Sequence, residues 1–242
     1  KYRTSIRDRM GAMPPFFVEK DIGILEFKND TSLSDVELAK IQAWADNGAP
    51  LGNLADMPPP REFAKAGVWT IGEPDLVLRS RQMTIPAVGP DRWGDIGLVP
   101  TGLTEDRYVK AVEVREMNDI PPSAGSDTVG GRYIFHHMTY SSGVLNEDET
   151  EIVEETRVRW PIHEVGRNAD IFPEKFGTLL QANSALHLGA SHLHSNGIAE
   201  TTGHLEFGFI FHPKDYTPEY GNRAAVRLGN GGDIDVPGGA AD

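Results

Sequence analysis

Histidine is where this sequence concentrates its chemistry. All eight histidines (His136, His137, His163, His187, His192, His194, His204 and His212) fall within residues 136–212, and none precedes them. Two groups have the spacing of metal ligands: the adjacent pair His136-His137, and His192-Leu193-His194. On a strand, residues i and i+2 project to one face, so His192 and His194 can converge on a point. Neighbours project to opposite faces, so His136 and His137 share an ion only at a bulge, a strand end or a strongly twisted edge. Imidazole suits copper, zinc, iron and nickel. With no cysteine in the chain to offer a thiolate, copper(II) and zinc lead. Met138 has a thioether to offer, although core packing is the commoner use of methionine. Beside the metal reading stands the plain one, in which these imidazoles are hydrogen-bonded edge or surface groups. It applies with most force to His163, His187, His204 and His212.

Other chemistries find less support. The absence of cysteine removes a disulfide framework, a thiolate zinc site, a Cys-ligated iron–sulfur cluster, a Cys nucleophile and a covalent c-type haem. The acidic run from Asn146 to Glu155 lacks the spaced Asp/Asn-Gly loop of a calcium motif and reads as a solvated loop. Gly130-Gly131 is not followed by the Lys-Ser or Lys-Thr of a phosphate loop and reads as a turn. No G-x-S-x-G nucleophile elbow is present. A net charge of −13 disfavours a nucleic-acid surface or an anionic membrane surface. No apolar run approaches the ~20 residues of a spanning helix.

The elements that must position these residues are mostly strands. The 26 glycines and 17 prolines among 242 residues favour many turns and short strands over a helical bundle. Alternation and β-branched content predict strands at Asp75–Leu78, Tyr108–Val114, Arg132–Tyr140, Thr156–Trp160, Ser184–His194 and His204–Phe211. No strand–helix–strand rhythm appears, so an antiparallel sandwich is expected rather than a parallel sheet. In front of it, residues 1–50 read as helical, and residues 1–60 as a helical remnant with a Pro-rich linker. Ser34-Asp35-Val36-Glu37 has capping-box spacing, Leu38, Ile41 and Trp44 follow at helical intervals, and Asn47-Gly48 supplies the stop. An earlier helix over Lys1–Met10 must end before Pro14-Pro15, and Met57-Pro58-Pro59-Pro60 forms an extended linker. Residues 229–242 read as a Gly-rich tail or linker.

An ordered set of short stretches carries a resemblance. Met13-Pro14-Pro15-Phe16, Leu33-Ser34-Asp35 and Trp44 through Pro50 resemble the second half of a small c-type cytochrome domain. Gly72 through Leu78, Thr101 through Val114, His136-His137, Asp170 through Glu174, His192 through Ser195 and Gly208 through Phe211 continue it. Together they resemble bacterial cytochrome c-fused proteins related to the copper type II, ascorbate-dependent monooxygenases of the peptidylglycine hydroxylating kind.

The resemblance implies a mainly β, antiparallel jelly-roll sandwich over residues 61–228, preceded by the small helical segment. It implies one copper ion held by three histidines, two of them adjacent: His136, His137 and His192. His194 is the alternative third ligand or a partner behind the ligands, and Met13 occupies the family's axial haem position. The implied role is an electron-transfer domain in the periplasm or outside the cell. Its partners would be a second copper domain or other redox subunits, with a haem domain or small reductant as electron donor. The family's oxygen-activating copper uses a later His-x-His and a Met from a second sandwich. No histidine follows His212, so no hydroxylation is expected of this chain alone. Haem c is expected only if a preceding segment supplies C-x-x-C-H. With the haem attachment motif and the second sandwich both lacking, the resemblance implies the middle of a longer protein, cleaved or separately encoded, and Lys at position 1 suggests a processed or trimmed chain. The rival reading is a structural subunit that keeps the sandwich without metal; a redox-silent zinc site is the third.

Overall fold

The computed structural model describes residues 33–60, 68–120 and 133–219. The chain divides into two compact units, residues 1–62 and 63–242. The expectations for Lys1–Met10, Met13, Gly130-Gly131 and the 229–242 tail lie outside the described residues.

In the first unit, α1 (Asp35–Asp46) forms where local chemistry demands it. The Ser34 N–H donates to Glu37 Oε2 at 2.8 Å, and the Glu37 N–H donates back to Ser34 Oγ at 3.3 Å. This closes the capping box and satisfies two otherwise orphaned donors. Gly48 then takes φ +83°, the left-handed turn that glycine adopts without strain. No residue of α1 is buried, and Trp44 is more than half exposed, its Nε1 donating to the Pro50 carbonyl at 3.0 Å.

The second unit has twelve strands: β1 (Leu76–Arg79), β2 (Met83–Ile85), β3 (Arg92–Gly94), β4 (Leu98–Pro100), β5 (Arg107–Asn118), β6 (Phe135–Val144), β7 (Val158–Arg159), β8 (His163–Glu164), β9 (Ala169–Ile171), β10 (Thr178–Leu180), β11 (Ser184–Leu193) and β12 (Thr201–Phe211). They form two six-stranded sheets, all pairings antiparallel. One sheet runs β1-β12-β5-β10 with β2 and β9 on its flanks, the other β3-β11-β6-β7 with β4 and β8. Among the eight strands of these two paths, the first sheet takes the first, eighth, third and sixth in chain order. The second takes the second, seventh, fourth and fifth. That interleaving is the jelly roll, as expected.

The core lies between the sheets. On β12, Leu205, Phe207 and Phe209 point inward and are fully buried; β5 contributes Val112 and Val114, and β11 Leu186 and Leu188. Each fully buried large apolar side chain is worth about 1.5–3 kcal/mol, so this layer supplies most of what holds the sandwich. Outside the first sheet, Glu113 on β5 accepts hydrogen bonds from the Thr70 and Ile71 amides and the Thr70 hydroxyl. Arg115 stacks on Trp69 at 3.5 Å and pairs with the buried Glu206 at 2.8 Å.

Several boundaries differ from the sequence reading. The strand predicted from Thr156 opens instead as a 3-10 turn over Glu154–Thr156, where the Thr156 hydroxyl donates to the Val153 carbonyl, leaving only Val158–Arg159 paired. β6 begins at Phe135 and β11 stops at Leu193. Strands β2, β3, β4, β8, β9 and β10 have two or three residues each, too few to show alternation. The acidic run is a tight loop. The Asn146 carbonyl Oδ1 accepts from the Thr150 and Glu151 amides, and no group of carboxylates there forms a cation cage among the described residues.

Candidate metal centre

The adjacent histidines sit at a break in strand pairing. On β6 the inward-facing residues are Phe135, Met138 and Tyr140, so the first step is three residues where a regular strand takes two. Both His136 and His137 are thereby left on the outer side. The register shows the same event: His192 of β11 faces His137 while Leu193 faces Phe135, and His136 is the extra residue of a β-bulge.

A second irregularity, on β11, completes the arrangement. Leu186 and Leu188 point into the core, which in an unbroken strand would send His192 inward too. Between His187 and Ala190 the register shifts, the phase reverses, and Leu193 returns to the core, leaving His192 on the outer face beside His137. Gly189 sits at this shift, where a Cβ would meet the His187 ring at 2.9 Å. Two bulges on neighbouring strands are therefore what bring three imidazoles together.

One ligand atom from each of His136, His137 and His192 lies within 4.8 Å of the other two. The Nδ1 atoms of His136 and His137 are 2.8 Å apart, and those of His137 and His192 are 3.4 Å apart. With metal–nitrogen bonds of about 2.0–2.1 Å, nitrogens around one ion stand about 3.3–3.6 Å apart. The His137–His192 pair has that spacing, and the His136–His137 pair is closer than it. His192 is buried, His137 half-buried and His136 exposed, so the group reaches solvent at His136. Such a centre has a position free for a solvent or exogenous ligand.

The surroundings set which nitrogens are free. Asp91 Oδ2 lies 2.8 Å from His192 Nε2, and a carboxylate only accepts, so Nε2 carries a proton and Nδ1 is the nitrogen left to face an ion. Trp93 of β3 stacks on the His192 ring at 4.0 Å, nearly parallel, and meets His137 edge-on at 4.9 Å. Partial desolvation first, and the neighbouring His194, His192 and His137 after it, hold His136 below the ordinary imidazole value, with Asp91 opposing. Neutral imidazole is the state that binds metal.

Behind the bulge, Glu116 of β5 accepts from the Ile134 and Phe135 amides at 3.0 and 2.8 Å, fixing the chain just before His136. Burial pushes this carboxyl above its usual range. His194 lies past the end of β11. Its Nε2 is 2.8 Å from the Tyr133 carbonyl and its ring 5.1 Å from that of His136, so it braces the group from behind and is not one of the three. The remaining histidines are spread elsewhere. His187 bridges Asp95 and Arg157, His212 stacks on Tyr216, His204 lies 3.9 Å from Glu206, and His163 is buried on β8.

Asp91, Trp93 and Glu116 are the neighbours that sequence reasoning missed. Trp93 is 63% exposed on a three-residue strand, and only its cross-strand pairing with His192 gives it meaning. Nothing in the local sequence marks the other two. The donor set fits copper or zinc: three imidazoles, no thiolate, and a carboxylate behind one ring. No family model, curated protein or solved structure matches the chain.

Proposed function

We propose that this protein is a copper-binding redox module, resembling the electron-transfer domain of the copper type II monooxygenases, with His136, His137 and His192 as ligands. The observation that carries the reading is the bulge that turns two adjacent histidines toward a third across the strand pair. Two register breaks converging on three imidazoles support this reading over a sandwich kept for structure alone. Copper held there supplies reversible one-electron exchange between Cu(II) and Cu(I).

The protein's own residues do the rest. Asp91 orients His192 and holds its tautomer; Glu116 fixes the backbone ahead of the bulge; Trp93 covers one side of the His192 ring. The partners this role calls for are a second copper domain and a haem or small-molecule donor.

The test is metal analysis and electron paramagnetic resonance on the purified chain. One equivalent of copper with a type II spectrum is expected, lost or weakened at least a hundredfold in His136→Ala. A chain that takes up no stoichiometric copper, or whose copper affinity ignores that substitution, refutes the assignment. Stoichiometric zinc with no copper selects the redox-silent alternative.

A further inference from the structure

The two sheets part at the edge where β7 of one lies near β9 and β10 of the other, leaving a cleft of about 690 Å³. It is lined by Thr139 and Tyr140 of β6 and by Trp160, Ile162, Phe172 and Phe176. The one indole N–H in this lining, Trp160 Nε1, is already given to Ser142 Oγ at 2.9 Å, so the wall presents carbon. A smaller recess of about 270 Å³ adjoins it, lined by Arg157, Arg159 and His187, with Glu154. Thr139, Tyr140 and Arg159 line both.

The charges at the junction are not equivalent. Arg157 is committed to Glu154 at 2.6 Å, to Ser141 Oγ at 2.8 Å and to His187. Arg159 has no ion-pair partner among the described residues. An apolar, aromatic-lined cleft of this volume falls in the range of small-molecule sites, ~300–1,000 Å³. The cation at its boundary selects the sign of the ligand's polar end.

We propose that this cleft binds a small anionic amphiphile, its apolar body against Trp160, Phe172 and Phe176 and its carboxylate on Arg159. The site is separate from the histidine centre and does not depend on the metal.

Decanoate and its neutral counterpart 1-decanol, titrated into the full chain by calorimetry and tryptophan fluorescence, test it. Decanoate is expected to bind saturably at one equivalent and more tightly than decanol. Arg159→Gln should weaken decanoate by roughly ten- to a hundredfold, as for a lost charge-assisted hydrogen bond, and leave decanol unchanged. Ile162→Asp, which puts a carboxylate on the exposed rim, should weaken both. Both substitutions are on the surface, and unchanged thermal midpoints verify folding. Unsaturable decanoate binding, or binding that ignores Arg159→Gln, overturns the proposal and leaves the cleft to a macromolecular partner or a second copy.

Discussion

His163 makes the stability of this protein fall in mild acid, by an amount the structure allows one to work out. The residue is buried on β8, paired with Met138 of β6 one step from His137. Its Nδ1 is buried with no hydrogen-bond partner, and a backbone hydrogen bond links the ring to Arg167. Protonation would place a charged N–H where nothing accepts it. Burial, the dominant cause, accordingly pushes its pKa from 6.5 down to about 4, with the Arg167 hydrogen bond opposing. In the unfolded chain the imidazole protonates below pH 6.5; in the native state it resists until about pH 4. The unfolded state therefore binds more protons between these values. Stability is fully present above pH 6.5 and is lost as pH falls toward 4. At about 1.4 kcal/mol per pH unit, the loss at pH 4.5 is about 2.5 kcal/mol, a large share of the ~5–15 kcal/mol of a typical domain. The assay is urea unfolding at pH 7.5 and 4.5 of the native protein and His163→Gln. The other seven histidines are common to both and cancel. The native protein should lose about 2.5 kcal/mol more than the variant across that interval. Parallel losses would show that His163 titrates near its ordinary value, and the reasoning from burial would fail.

Two further outcomes follow from particular contacts. Asp91→Asn, which keeps an acceptor near His192 Nε2 but removes the charge, should weaken metal binding about 10–100-fold in a competitive chelator titration; unchanged affinity would mean that Asp91 does not tune His192. Gly208→Ala would place a Cβ 2.8 Å from Trp69 and Pro74, and should destabilise the sandwich by about 1–3 kcal/mol in thermal unfolding. A stability equal to that of the native protein would show that Trp69 is not seated against β12.

What the sequence determined by itself is what depends on near neighbours. Ser34 and Glu37 close a capping box three residues apart, and α1 starts where they say. Leu205, Phe207 and Phe209 alternate on β12, and Val112 and Val114 on β5. A period of two is fixed by the pleat of a single strand, so these elements and the sandwich class were legible. The concentration of histidine after residue 135 was legible too, and so was the geometric conflict within His136-His137.

Only the tertiary structure resolved that conflict. A bulge is a property of two strands, and its partner residues, Phe135 against Leu193 and His137 against His192, lie more than fifty positions apart. The same holds for Asp91 on His192, for Glu116 beneath the start of β6, and for Trp93 over the imidazole. Each is an unremarkable residue until pairing sets it beside the histidines. The cleft between the sheet edges belongs to no single strand, because residues from both sheets line it. Side-chain chemistry is written residue by residue, but convergence on one point requires chain segments distant in sequence, and only packing brings them there.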